Sequence, residues 1–386
     1  MNTKLSVNFT DSTESGEDLY LVSGENISTS FGKISKYMKD NAGGGTVNSW
    51  IQLRDKVRNN DMSDINISDQ YSCNKGETTI DFDVIGKNQN TPTSSLYTNT
   101  LTLRTHFQLP DVMQFDAPEA FYYCSSSLSA DTYYVTRSSS NYSFTLTQSV
   151  PAGGQLVFVN SSTSQVSSYS SAYSRTAIET VTTSSETGGT NLGTLQNNVK
   201  SGNLNTYYRA MYGNGNWKES AIRQWLNSNK PAGEWWEPQN NWDRPPAYAD
   251  TINGFLYDLD PDFLEVVGLT TKITARNTVS DDGGTDTTED LFFLLSQTEV
   301  YGGQAVTGID EGQAYTFYSE NSSLSAPGAG DDTNRITYRN GSASWYWLRT
   351  PDPTSSNYVR NVVSGGRVYD YGASLSIGVV PACNII

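Results

Sequence analysis

Residues 347–386 read WLRTPDPTSSNYVRNVVSGGRVYDYGASLSIGVVPACNII. The two ends of this stretch are stiff and apolar and read as ordered core. Its middle strings together Ser, Tyr, Val, Asp, Gly, Leu and Ile with no strand or helix period. A fold for this chain has to hold a fixed frame around a segment that looks free to vary.

The chain has 386 residues, room for two or three domains or for one large domain with appendages. Apolar residues make up only 36%, but 24 Tyr and 8 Trp supply large buried areas instead. With 17% charged residues and abundant Ser, Thr, Asn and Gly, the composition suits a β-rich, loop-rich extracellular or virion protein better than a cytosolic enzyme. A net charge of −16 with no Lys/Arg cluster repels phosphate, so nucleic acid is not expected as a partner. Cys73, Cys124 and Cys383 lie far apart, without metal-ligand spacing, and read as buried free thiols. The first residues hold no apolar run of signal-peptide length, and no stretch is long enough for membrane insertion. The expectation is a protein folded in a cytoplasm; if it works outside, it leaves by a route such as virion assembly and lysis.

Residues 1–45 read as a separate piece. Ile27, Phe31, Ile34 and Met38 recur at helical spacing, and Gly43, Gly44 and Gly45 end the piece as a flexible joint. One short amphipathic helix cannot bury its stripe alone, so it should pack on a partner, on its own copies, as a homotrimer, or on the body. The Gly43–Gly45 joint, by loosening the tie to the body, favours a partner or copies. A second helix is expected from Trp50, with Ser49 and Gln52 at capping-box spacing and Trp50, Ile51, Leu53 and Val57 on its apolar face. Strand patterns follow in TTIDFDVIG and NTLTLRTHFQL. From 107 to 195 the texture turns to Ser, Thr and Tyr with short β patterns. It reads as a β-rich insertion that ends in a mobile Ser-rich loop at 161–190. The other strong helix signal is at 217–227, where Trp217, Ala221, Ile222, Trp225 and Leu226 share a face. EDLFFLLSQTEV reads as a strand. Together these elements predict an α+β chain in which loops dominate.

Catalytic chemistry has few residues to stand on. His106 is the one histidine and reads as a satisfied structural residue beside a strand. No P-loop or dinucleotide fingerprint occurs. The acids Asp258, Asp260, Asp262 and Glu265 cluster, as do Asp281, Asp282 and Asp286. Phe263 stands where a calcium loop of the EF-hand type needs Gly, so both clusters read as solvated turns. No feature selects a glycosidase pair among the acids. Trp235, Trp236, Trp242, Trp345, Tyr346 and Trp347 form either a core under the loops or a sugar-stacking surface.

The segments EDLFFLLSQTEV, RITYRNGSASWYWLRTP and VRNVVSGGRVYDYGASLSIGVVPA resemble the closing half of C-type lectin-fold proteins of the formylglycine-generating-enzyme type. More narrowly, they resemble the variable proteins of diversity-generating retroelements, phage tropism determinants among them. SAIRQWLNS fits the same family, so the resemblance covers roughly 200–386, and 46–125 more loosely. SGENISTSFGKISKYMKD, residues 23–40, resembles the attachment segments of phage tail or head fibres. In that family, template adenines are mutated, and AAY codons turn into many residue types but never Lys, Glu, Gln, Met or Trp. Residues 355–377 contain none of those types.

The resemblance implies a C-type lectin-like domain over 46–386 carrying the 107–195 insertion, with 347–386 as the variable region. It places variable, ligand-binding residues at Ser355, Tyr358, Val363, Tyr369, Asp370, Tyr371, Gly372, Ser374, Leu375 and Ile377. Trp347, Leu348, Arg349, Pro351, Val359, Arg360, Val362, Gly366, Ala373, Gly378, Val379 and Pro381 hold the family frame. A surface that tolerates random side chains cannot carry the fold, so the variable residues should face solvent on strands and turns fixed elsewhere. Tyr358, Tyr369 and Tyr371 are the expected rigid anchors, as in antibody paratopes. The paired cysteines of the family's copper enzymes are missing, and of the calcium-lectin motifs only EPQ at Glu237 and WD at Trp242 occur. No enzyme activity, metal site or cofactor is therefore expected. The implied function is a phage adhesion protein recognising a host-surface protein or glycan. The alternatives are a virion glycan hydrolase and a capsid decoration protein.

Overall fold

A computed structural model describes residues 49–160, 165–169, 177–181, 188–305, 308–319 and 333–386. The helix expected around Ile27–Met38 and the trimer it implies fall outside the described residues. The rest is a mixed fold in which strands predominate over short helices. Among the described residues no helix is long and apolar enough to cross a membrane.

The first described helix is Trp50–Arg58. Ser49 caps it by accepting a hydrogen bond from the Gln52 amide, and Lys56 and Arg58 sit in its last turn, where the helix dipole favours cations. Its buried Leu53 and Val57 lie in the core of the body. That core forms around a five-stranded antiparallel sheet in the order Gln70–Lys75, Thr78–Lys87, Leu101–Thr105, Ala382–Ile385, Phe292–Phe293. The last strand of the chain is thus paired between two earlier ones, with Cys383 opposite Leu103 and Phe292. Leu101–Thr105 and Ala382–Ile385 are buried at every position, as strands covered on both faces must be. Asp260 caps the short helix Pro261–Val266, so the acidic run there has a structural role. All three cysteines are free and buried, and burial pushes the thiols of Cys73 and Cys124 up to about 12.

The β-rich insertion has its own core, built from Phe121, Cys124, Tyr133, Val135, Phe144, Leu156 and Phe158, with Tyr207, Ala210 and Met211 of the helix Tyr207–Tyr212 closing it. It holds a three-stranded sheet of Thr190–Thr194, Thr132–Arg137 and Ser140–Thr145, and a four-stranded sheet that ends on Ala177–Val181. Two expectations change here. The insertion does not start at 107, because Leu109, Met113 and Phe115 are buried in the core of the body, and Met113–Gln114 pairs with Ser376–Ile377. The Ser-rich stretch 161–190 is not all loop. Gln165–Tyr169 and Ala177–Val181 are paired strands, and the residues between them lie outside those described.

Two further readings are corrected. EDLFFLLSQTEV is not one strand: Phe292–Phe293 pairs in the sheet, and Gln297–Tyr301 is a helix. Ser296 and Glu299 form a full capping box there, and Gly302 ends the helix in the left-handed conformation. The helix expected over 217–227 is confined to Ala221–Leu226, capped by Ser220. Trp217 lies in the preceding turn, fully buried, with its Nε1 donating to Asp290 at 3.2 Å.

Candidate functional site

The middle of the quoted stretch has a period after all. Tyr346–Pro351, Tyr358–Val362 and Val368–Gly372 form a three-stranded antiparallel sheet, turned at Gly366, whose φ of 84° is open to glycine. The inner strand is buried at all its residues. Trp347 packs against Phe115 and donates from Nε1 to the Met113 carbonyl at 2.8 Å. Arg349 is fully buried and pairs with Glu299, which Lys272 also contacts at 2.9 Å. Burial alone raises the Glu299 carboxyl, but the attraction and hydrogen bonds of Arg349 and Lys272 outweigh it and leave the group at about 2. The inner strand is therefore fixed by the packing of Trp347 and by the paired charge network of Arg349.

Directly opposed residues in such a sheet share a face. Tyr358 opposes Gly372 and Arg360 opposes Asp370; Val359 opposes Tyr371 and Asn361 opposes Tyr369. The three expected anchors therefore divide between two faces. On one, Tyr358 is 44% exposed. A Cβ at the opposed Gly372 would stand 3.6 Å from the Tyr212 Cβ and 3.7 Å from the Leu375 Cδ1. Tyr212 and Leu375 are themselves 37% and 40% exposed, so this face ends in a small apolar and aromatic patch. On the other face Tyr369 is 58% exposed and meets Trp345 edge-on at 6.5 Å. Tyr371 lies deeper, 5.3 Å from Trp345 and 6.4 Å from Trp347. Tyr371 is an anchor of the frame as much as of any ligand.

The remaining expected residues spread along the same hairpin. Ser355, Val363 and Ser374 are half-buried, with the Ser355 hydroxyl donating to Asn357 and the Ser374 amide donating to the Tyr212 carbonyl. Asp370 is half-buried and paired with Arg360, which also reaches Asp352 at 3.3 Å. Burial pushes the Asp370 carboxyl above its ordinary range, against the pull of Arg360. Gly372 and Ile377 are buried, not solvent-facing. Ile377 opposes Met113 in a two-residue ladder and belongs to the core, and Gly372 is hemmed in by Tyr212 and Leu375. Two residues of the patches were not expected from the sequence. Tyr212 lies on a helix remote in the chain, and Trp345 stood only among the undecided tryptophans. Trp235 and Trp347 are core, whereas Trp236, Trp242 and Trp345 are half-buried.

A cleft of about 510 Å3 lies elsewhere, lined by Lys75, Asp81, Phe107, Asp111, Trp225 and Asp258 among others, and none of the ten expected residues lines it. His106 is held by Asp83 at 2.8 Å, in keeping with a structural role. Asp281 is bound by the buried Arg209 at 2.6 Å, so that acidic cluster also serves the fold.

Residues 194–386 match the family model described as a domain of unknown function (DUF6273), which covers half of the chain, and the chain belongs to that family. The match begins at the end of the insertion strand Thr190–Thr194 and takes in the whole hairpin. No curated protein and no solved structure matches the chain.

Proposed function

We propose that this member of the family is an adhesion protein of a phage particle, with a C-type lectin-like body that presents a diversifiable ligand site on the hairpin of 355–377. Its ligand is a host-surface protein or glycan. Residues 1–45 would tie it to other virion proteins and to its own copies. The observation that carries this reading is the pairing of exposed Tyr358, Tyr369 and Leu375 with a backbone whose own anchors, Trp347, Arg349, Val359, Val362 and Ala373, are all buried. Side chains at the tips can change while the strands that hold them do not. The outer strand Val368–Gly372 is also an edge of its sheet, and the two aromatic patches lie on either side of it. Large rigid aromatics beside small polar groups are a low-entropy way to recognise varied surfaces.

The test is binding of the purified protein to host cells. Tyr358→Ala with Tyr369→Ala should abolish it, because interface aromatics commonly carry about 2 kcal/mol or more each. Retained binding by the folded double variant would sink the assignment of the site. Sequencing beside the gene is the second arm: a near-copy of the codons for 347–381, differing only at adenines and adjacent to a reverse-transcriptase gene, is expected. Loss of viscosity in a host-polysaccharide extract would instead favour the hydrolase.

A further inference from the structure

Asp116, Glu119 and Asp243 are each at most 2% exposed, and one carboxylate oxygen of each lies within 4.8 Å of the others. Each group is held by one oxygen. The Asp116 Oδ1 accepts from the Ala117 and Ala221 amides at 3.0 and 3.3 Å. The Glu119 Oε2 accepts from Asn205 Nδ2, and the Asp243 Oδ2 from the Gln239 amide, both at 2.5 Å. The other oxygen of each, Asp116 Oδ2, Glu119 Oε1 and Asp243 Oδ1, is buried with no hydrogen-bond partner. Buried carboxylates without a partner are expensive, and three together repel one another as well. Arg209 feels the Glu119 charge but makes its hydrogen bonds to Asp281 and the Ser356 carbonyl, and Lys200, which attracts Asp243, lies over the Trp242 ring.

We propose that Asp116, Glu119 and Asp243 form a binding site for a hard divalent cation of the calcium class. The donor set is all oxygen, which suits calcium, magnesium or manganese and not the softer metals. Calcium takes oxygens at about 2.4 Å, so two of its ligands stand at most about 4.8 Å apart, the spacing these residues keep. Asp116 and Glu119 lie outside every calcium motif sought in the sequence, and the acidic runs at 258–265 and 281–286 take no part in the site. The cation would join two stretches that are far apart in the chain, 116–119 and the one that holds Asp243. The Ala120 amide already donates to the Trp242 carbonyl at 2.8 Å, and the Glu119 amide to the Arg209 carbonyl at 3.0 Å. The Asp116 amide donates to the Ala373 carbonyl at 3.1 Å, so the site also braces the turn that follows the outer strand of the hairpin.

Full-length protein stripped with EGTA and titrated with calcium chloride tests this, by calorimetry and by melting. One calcium per chain should bind, and the Tm should rise by about 2–4 °C at a hundredfold excess over its Kd. Terbium should bind the same site and luminesce on tryptophan excitation, since Trp242 adjoins Asp243 in the chain. Glu119→Gln and Asp243→Asn should lose calcium and terbium binding, and in EGTA they should melt no lower than the parent, because one repelling charge is gone. Should one variant fail to fold, the other and the parent titrations still decide. No calcium uptake by the parent, with an unchanged Tm, would overturn the proposal and leave shared protons as the means of neutralising the three acids. Calcium binding that survives in both folded variants would overturn it too, by placing the ion elsewhere.

Discussion

The inner and outer strands of the hairpin sheet lie two strands apart and are built on opposite terms. In Tyr346–Pro351 every residue is buried, and Arg349 reaches across to Glu299 while Trp347 fills the space over Phe115. In Val368–Gly372 only Gly372 is buried, and Tyr369 is the most exposed of the three hairpin tyrosines. The two strands share one partner, Tyr358–Val362, so backbone order passes from inner to outer without the outer side chains having to supply it. A surface can then be varied at low cost to the fold, provided that the variation stops where the burial starts.

The inner strand sets the largest effects. Trp347→Ala should cost about 3–5 kcal/mol, the range for a large aromatic removed from a core. Arg349→Met should cost a similar amount, because it strands Glu299 with Lys272 alone. Chemical denaturation of both variants checks this. A loss below about 1 kcal/mol would erase the difference between the strands.

The same network sets an acid limit. Glu299 titrates at about 2 in the fold against an ordinary value of 4.5. A carboxylate whose folded value is depressed adds stability above its unfolded value and loses it as pH falls towards the folded one. The contribution should therefore be full above about pH 5 and decline between about 4.5 and 2, by about 3 kcal/mol in all. Stability measured across that window should fall by this amount more in the parent than in Glu299→Gln. Equal slopes would show that the network is not what acid breaks.

Tyr371 tests where the variation stops. Its ring lies between Trp345 and Trp347, so Tyr371→Ala should cost about 1–2 kcal/mol of stability, more than an exposed site and less than a core one. Tyr358→Ala and Tyr369→Ala should each stay within about 0.5 kcal/mol. If all three cost the same, the pleat does not sort them as the register says.

Much of this was readable from residues alone. The Ser49 cap, the buried face of Leu53 and Val57, and most of the insertion strands follow local patterns that need no distant partner. The frame residues Trp347, Arg349, Val359, Val362 and Ala373 are all buried, as their apolar or paired character suggests. The alternation of the hairpin was hidden because Tyr, Asp and Arg side chains fit either face of a strand, and only cross-strand register says which. Gly372 and Ile377 were misplaced for the same reason: their neighbours Tyr212 and Met113 come from other parts of the chain. Asp116 and Glu119 meet Asp243 only through the fold, and no spacing along the sequence could have paired them. Leu109 and Phe115 looked like the start of the insertion because short apolar runs read alike in either core.

Another small effect belongs to Asp370, which is both an expected variable residue and the partner of a frame residue. If the position varies freely, its pair with Arg360 cannot be needed. Arg360 has a second carboxylate, Asp352, at 3.3 Å, so it keeps a partner when Asp370 is neutral. Half-exposed pairs are worth about 0–1 kcal/mol at most. The Asp370 carboxyl is already pushed above its ordinary range by burial, which means that its charged form gains little from the site. Asp370→Asn should therefore shift stability by less than about 1 kcal/mol, seen as a change of only a few degrees in melting. A loss of 2 kcal/mol or more would move Asp370 into the frame. The proposed diversifiable surface would then shrink to the tips, Tyr358, Tyr369 and Leu375, at which the two patches meet solvent.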